Sequence, residues 1–293
     1  VNDEIYKRAS KNPDHAFAFK MVLGDQIAET KVLNVIWTAS KDGYLKPRVQ
    51  IEPVKLGGAT IEYATGFNAK FIVDNKIGVG AVISIIRSGD VIPHILSVTR
   101  PAPEPQMPNR DYSWNETNVD IILNNKTDDE IVNLKIITAF FKTIDVEGLG
   151  PGNVKKIIKA GYTTIPDILR MSEDDFMKVE GFKDKTSKKL YIGIKEKINK
   201  ASLPTLMDAT NIWGRGFGKK RFASILKDNP DIIINEIPIS EKEKRVEAVQ
   251  GMAKKSASKF VENLNKFKEW AESANLTDKL IYNENEKADT SHH

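Results

Sequence analysis

Between residues 25 and 100 the apolar positions fall in short runs rich in β-branched and aromatic side chains: Lys31–Trp37, Arg48–Pro53, Thr60–Ala64 and Ala81–Arg87. Glycine-bearing breaks, K-D-G, G-G and G-V-G, separate them. Short runs enriched in this way, with turn chemistry between them, predict strands. Several strands within about 75 residues predict a small β-barrel. The size favours an OB-type barrel, although periodicity does not separate it from an SH3-like one. From Asp129 onward the apolar spacing becomes three to four residues, which predicts helices.

Between these regions, residues 101–128 are rich in proline, asparagine and acid and read as an irregular connector. The fold class expected is therefore α+β and multidomain, a small β-barrel followed by an all-α domain. The domains expected are a short leading segment at 1–24, the barrel at 25–100, the connector at 101–128, the helical domain at 129–275 and a polar tail at 276–293.

The helical region repeats itself. V-E-G-L-G-P-G-N-V-K-K-I-I (146–158), V-E-G-F-K-D-K-T-S-K-K-L (179–190), W-G-R-G-F-G-K-K-R-F-A-S-I-L (213–226) and V-Q-G-M-A-K-K-S-A-S-K-F-V (249–261) align on Leu149, Phe182, Phe217 and Met252. Their separations are 33, 35 and 35 residues. Tetratricopeptide and ankyrin arrays have a similar period, but W-x-x-L-G-x-x-Y and T-P-L-H are both missing. What recurs is Gly-apolar-Gly, or a degraded form, ahead of a basic helix, the pattern of a helix-hairpin-helix unit.

Glycine at such a turn accepts positive φ, so two helices can be joined tightly. The second helix then opens outward, and its unpaired N–H groups and positive dipole end offer a site to a phosphate oxygen. The candidate phosphate-binding residues are Gly148, Gly150, Lys155 and Lys156 in the first copy, and Gly181 and Lys188 in the second. The third copy offers Gly216, Gly218, Lys219 and Lys220, with Arg221 beside them, and the fourth Gly251 and Lys254. Contacts of this kind grip a duplex backbone without reading bases. Copies one and three keep both glycines and are expected to be the stronger sites.

The net charge of +4 averages an acidic stretch near 111–130 against basic clusters at 183–200, 215–221 and 254–259. Locally basic faces fit a polyanionic partner. The absence of cysteine excludes disulfides and thiolate metal sites, so no zinc is expected. No apolar run approaches the length of a membrane span and no signal peptide is evident, which makes a cytoplasmic, DNA-associated location the expectation and a membrane partner unexpected.

The segment E-P-V-K-L-G-G-A-T-I-E-Y-A-T-G-F-N-A-K-F-I-V-D-N-K-I-G-V-G-A-V-I-S-I-I-R-S-G-D-V-I-P (52–93), with G-Y-L-K-P-R-V-Q-I-E-P-V just before it, resembles the OB domain of NAD-dependent DNA ligases. Glu52-Pro53-Val54, Ala64-Thr65 with Asn68, Ile77-Gly78 and R-S-G-D-V-I-P carry the match in order. That family follows its OB domain with a zinc ribbon and four helix-hairpin-helix units, the first with a run like Asp145–Gly150 here. H-A-F-A-F-K (15–20) resembles the family's last nucleotidyltransferase motif, whose lysine contacts the adenylate phosphate, and Lys20 takes that place.

The resemblance implies that Arg87, Val91 and Ile92 form a DNA-facing rim braced by Asp90, with Lys41 meeting a phosphate near the first turn. It also implies nicked double-stranded DNA as partner, and NAD and Mg2+ as cofactors of the complete ligase. The family's adenylated K-x-D-G lysine has no counterpart, since Lys41-Asp42-Gly43 lacks the intervening residue. A second polypeptide supplying that lysine is therefore expected, as in a split phage-type enzyme. The alternative is a non-catalytic junction-binding protein with the same order of domains.

Overall fold

In the computed structural model the described residues are 26–88 and 92–285. They fall into two compact units, Val1–Asp128 and Asp129–His293.

In the first unit, β1 (Ile27–Ala39), β2 (Tyr44–Leu56) and β3 (Ala59–Thr65) lead to a short helix α1 (Ala69–Asp74), followed by β4 (Val82–Ile86) and β5 (His94–Arg100). The first half of β1 pairs with β4 (Ile27 opposite Ile86) and its second half with β2 (Ala39 opposite Leu45). A register shift between Val32 and Asn34 marks the change of partner. Such a bulge bends a strand and raises its twist, as a closing barrel requires. Antiparallel β2–β3 and β4–β5 pairs and one parallel contact, Thr65 opposite His94, complete a closed five-stranded barrel. This is OB order, and the SH3-like option falls away. Alternate positions point inward, so Val35, Val49, Ile51, Ala64, Ile83 and Ile85 form the core together with Ile72 of α1.

Residues 101–128 differ from the connector expected. They add β6 (Tyr112–Trp114) and β7 (Ile121–Leu123), and β7 pairs with the start of β2. Upstream, Gln106 Oε1 accepts from Val35 N at 2.7 Å, and the Gln106 carbonyl accepts from Trp37 Nε1 at 3.0 Å. Gly78 packs so closely on the Glu104 carbonyl that a Cβ has no room. The segment belongs to the barrel unit because its polar groups are paired with the barrel's own.

The second unit is helical among its described residues: α2 (Glu130–Thr143), α3 (Pro151–Lys159), α4 (Ile165–Leu169), α5 (Glu173–Met177), α6 (Asp184–Lys200), α7 (Leu203–Ala209), α8 (Lys219–Asp228), α9 (Ile239–Glu247), α10 (Lys254–Glu262) and α11 (Leu264–Ser273). Four hairpins, α2/α3, α5/α6, α7/α8 and α9/α10, share one core in which Leu149, Phe182 and Phe217 are buried and Met252 packs at the edge. The apolar residue at the centre of each repeat is thus the plug that seats its turn. Around Trp213 the rings of Phe222, Phe260 and Phe267 lie with centroids 4.9 to 5.7 Å away.

The expected polar tail also differs at its start. Leu276, Leu280 and Tyr282 are buried, and Tyr282 N donates to the Pro230 carbonyl at 3.0 Å. Lys279 Nζ donates to the carbonyls of Asn199 (2.8 Å) and Ala201 (3.0 Å), meeting the negative end of α6. Arg170 donates to the Ser273 carbonyl, tying α4 to α11.

Helix starts follow local chemistry. Asp129, Thr164, Ser172 and Ser202 cap α2, α4, α5 and α7 by accepting backbone N–H groups. At α5 the cap is reciprocal, with Asp175 Oδ2 accepting from Ser172 N at 2.9 Å. That backbone bond, aided by the Ser172 and Tyr162 hydroxyls and Lys178, holds the Asp175 carboxyl below its usual range. A carboxylate with a depressed folded pKa contributes stability that is present above its unfolded value and lost as pH falls through the folded one. Thermal melts of Asp175→Asn are therefore expected to lose less stability than the unsubstituted protein below about pH 4. Equal acid sensitivity would count against this role for Asp175.

Candidate nucleic-acid interface

Each hairpin turn places a glycine at positive φ at the same point of the repeat, Gly148 (86°), Gly181 (83°), Gly216 (94°) and Gly251 (84°), and the third turn adds Gly214 (67°). The later glycines do something else. Gly150 and Gly218 are N-caps with extended backbone, and Lys183 and Ala253 take the same conformation in the other two copies. Keeping the second glycine is therefore no backbone requirement, and ranking the copies by it has no conformational basis.

In three of the four hairpins the caps separate the two helices; in the fourth, α9 starts at Pro238, which offers no side-chain acceptor either. The first helices α2, α5 and α7 each have a side-chain acceptor at the N-cap. The second helices α3, α6, α8 and α10 begin at Gly150, Lys183, Gly218 and Ala253, whose side chains offer their first-turn N–H groups no acceptor. Ser256 Oγ at α10 instead accepts from Ala253 N. Open N–H groups at a helix start accommodate an anion. Exposed lysines follow in every case: Lys155 and Lys156 on α3, Lys188 on α6, Lys219 and Lys220 on α8, Lys254 on α10.

Two hairpins also share a basic cleft. Gly152, Lys155, Lys156, Lys159, Glu180 and Gly181 line an open space of about 400 Å3. Lys156 Nζ stands 3.5 Å from where a Gly181 Cβ would lie, so the first hairpin's lysine reaches over the second hairpin's turn. Glu180 meets Lys159 there, at 4.0 Å with both side chains solvated, which removes little of the positive field.

Sequence reasoning missed the braces of these turns. Asn153 Nδ2 donates to the Gly148 carbonyl and Arg221 to the Gly216 carbonyl, both at 2.7 Å. Arg221 also lies 5.3 Å from the Phe217 ring centre, and Lys259 Nζ donates to the Arg215 carbonyl at 2.9 Å. Arg221, expected beside the phosphate-seeking lysines, thus also holds its own turn. The available signal was a side chain capable of hydrogen bonding five residues after every turn glycine: Asn153, Thr186, Arg221 and Ser256.

On the barrel, Lys41 sits in the β1–β2 turn, whereas Arg87 follows β4, its N–H donating to the Gln26 carbonyl beside the start of β1. The structure does not bring them together, because the whole length of β1 lies between. Ile92, 74% exposed, precedes β5 on the Arg87 side. Lys20, Asp90 and Val91 lie outside the described residues. Arg48 was also missed: exposed on β2, its guanidinium lies 3.7 Å from the centre of the Tyr63 ring. Among the described residues no group of three or more His, Asp or Glu side chains is placed to hold a metal ion. No described helix is long and apolar enough to cross a membrane.

Residues 29–106 match the family described as the NAD-dependent DNA ligase OB-fold domain, and residues 140–196 match the SAM-like helix-hairpin-helix tandem. The tandem match runs from the end of α2 into α6, across the first two turns; the third and fourth are read from the structure. A DNA ligase of Acanthamoeba polyphaga mimivirus is 40% identical over 279 residues, which is 94% of this chain and 43% of the viral protein. A DNA ligase of Psychromonas ingrahamii is 33% identical over 183 residues, 60% of this chain and 28% of that protein. One of Persephonella marina is 31% identical over 223 residues, 68% and 30% respectively. The chain spans less than half the length of these relatives. With the ligase-type barrel and the helix-hairpin-helix domain both present, and a viral DNA ligase matching along 94% of its length, the chain belongs to the NAD-dependent DNA ligase family.

Proposed function

We propose that this chain is the duplex-gripping part of an NAD-dependent nick-sealing ligase. The observation that supports this most is the cap pattern: four second helices lack a side-chain acceptor at the N-cap, and lysines follow each. First-turn N–H groups and lysine ammonium groups hold phosphate oxygens by charge-assisted hydrogen bonds. Binding is therefore indifferent to sequence and sensitive to salt. The barrel rim at Arg87 and Ile92 meets the duplex at the nick, with Lys41 on a phosphate farther along. The gain for catalysis is positional, since it keeps the 3′-hydroxyl and 5′-phosphate in register.

NAD and Mg2+ supply, in the complete enzyme, the adenylate and its charge neutralisation. This chain's share of that chemistry is Lys20, a compact cation for the adenylate phosphate. The adenylated lysine comes from a K-x-D-G segment, carried by a second polypeptide in the split arrangement.

The test is reconstitution. The chain alone is expected to retain nicked duplex without sealing it, and to support sealing when mixed with a K-x-D-G polypeptide from the same genome, NAD and Mg2+. A folded mixture that binds DNA and never seals would overturn the ligase reading in favour of a non-catalytic junction binder.

A further inference from the structure

The barrel rim that carries Arg87 and Ile92 carries one more side chain, and its backbone is strained. Phe67 has φ +62°, left-handed territory where a bulky residue is an outlier. Both neighbours prevent its relaxation. A Cβ on Gly66 would lie 2.9 Å from Pro47 Cβ and 3.1 Å from Ile72 Cδ1, while Gly66 N donates to the Pro47 carbonyl at 3.1 Å. On the other side Asn68 caps α1, its Oδ1 accepting from Phe71 N at 2.8 Å. Glycine or asparagine would occupy position 67 with less strain.

Burial does not explain the phenylalanine. Phe67 is 45% exposed, its ring edge-on to Phe71 at 4.8 Å and to His94 at 6.1 Å. Strand pairing fixes where it emerges. His94 is opposite both Thr65 of β3 and Ile86 of β4, so Phe67, two residues past Thr65, stands at the barrel end where Arg87 leaves β4 and Ile92 enters β5. Exposed cations flank it, Lys70 on the first turn of α1 and Arg48 opposite Thr65.

We propose that Phe67 is a DNA contact in its own right: an apolar wedge, steadied by Phe71 and His94, that packs against sugars and base edges in the minor groove of the nicked duplex. Apolar side chains at a cationic rim are suited to that groove, where they displace water while the cations hold the bordering phosphates. This inference rests on the duplex-binding reading above.

The test compares the full chain with Phe67→Gly, Phe67→Asn and Phe67→Tyr on a fluorescent nicked duplex, together with thermal melts. The first two are expected to lose affinity about tenfold, in line with loss of one aromatic contact, while the melting temperature holds or rises. Because the contact is not ionic, the slope of log K against log salt stays unchanged. Phe67→Tyr is expected to bind as the original does. Unchanged affinity in Phe67→Gly, or a loss matched by loss of folded protein, would overturn the role of Phe67 alone. Failure of the unsubstituted chain to retain nicked duplex would overturn this role and the duplex-binding reading together.

Discussion

Replacing Lys219 and Lys220 together by alanine is expected to weaken binding of nicked duplex about thirtyfold near 0.15 M salt. Both are exposed, at the first two positions of a helix whose N-cap, Gly218, has no side chain to occupy its N–H groups. Each phosphate contact removed lowers the slope of log K against log salt by about 0.9, so the pair should reduce it by about 1.8. The residual affinity comes from the open N–H groups and the other hairpins, and the fold should be unaffected because neither lysine packs in the core. Anisotropy titrations from low to moderate salt read both quantities. An unchanged slope would show that the hairpin is only structural.

The second large effect is on stability. Trp213→Ala is expected to destabilise the helical unit by about 3–5 kcal/mol, the range for removing a large buried ring. Trp213 is 2% exposed, stacks on Phe260 at 5.7 Å and donates from Nε1 to the Phe260 carbonyl at 2.9 Å. Alanine opens a cavity among three aromatic rings and leaves that buried carbonyl without its donor. Urea unfolding followed by circular dichroism measures the loss, and a change below about 1 kcal/mol would mean the site collapses and repacks. Trp213→Phe separates the terms, since it keeps most of the ring contact while losing the hydrogen bond. Because Trp213 lies in the third turn, its loss is also expected to loosen Gly216 and Gly218 and reduce affinity for DNA.

Much of the candidate site is legible along the chain. A turn glycine, a plug and two lysines recur together because each helix-hairpin-helix unit solves its backbone and packing problem within about a dozen residues. Leu149, Phe182 and Phe217 are buried where the repeat alignment places them. The braces at Asn153 and Arg221 sat in the same windows and were masked by their differing chemistry, since an amide and a guanidinium meet one carbonyl equally well.

Local sequence by itself determined what depends on near neighbours: strands from β-branched and aromatic runs, helix starts at Asp129, Ser172 and Ser202, positive-φ turns at glycine and the identity of the exposed cations. Only the tertiary structure decided what depends on groups far apart in the chain. Gln106 satisfies Val35 N across 71 residues, which turns a proline-rich connector into part of the barrel. Tyr282 N reaches the Pro230 carbonyl, which folds the start of an apparently polar tail into the helical unit. Barrel closure sets Phe67 beside His94 and separates Arg87 from Lys41 by the length of β1. Those outcomes follow from pairing buried polar groups and closing strands upon one another, and these constraints leave no period in the sequence to read.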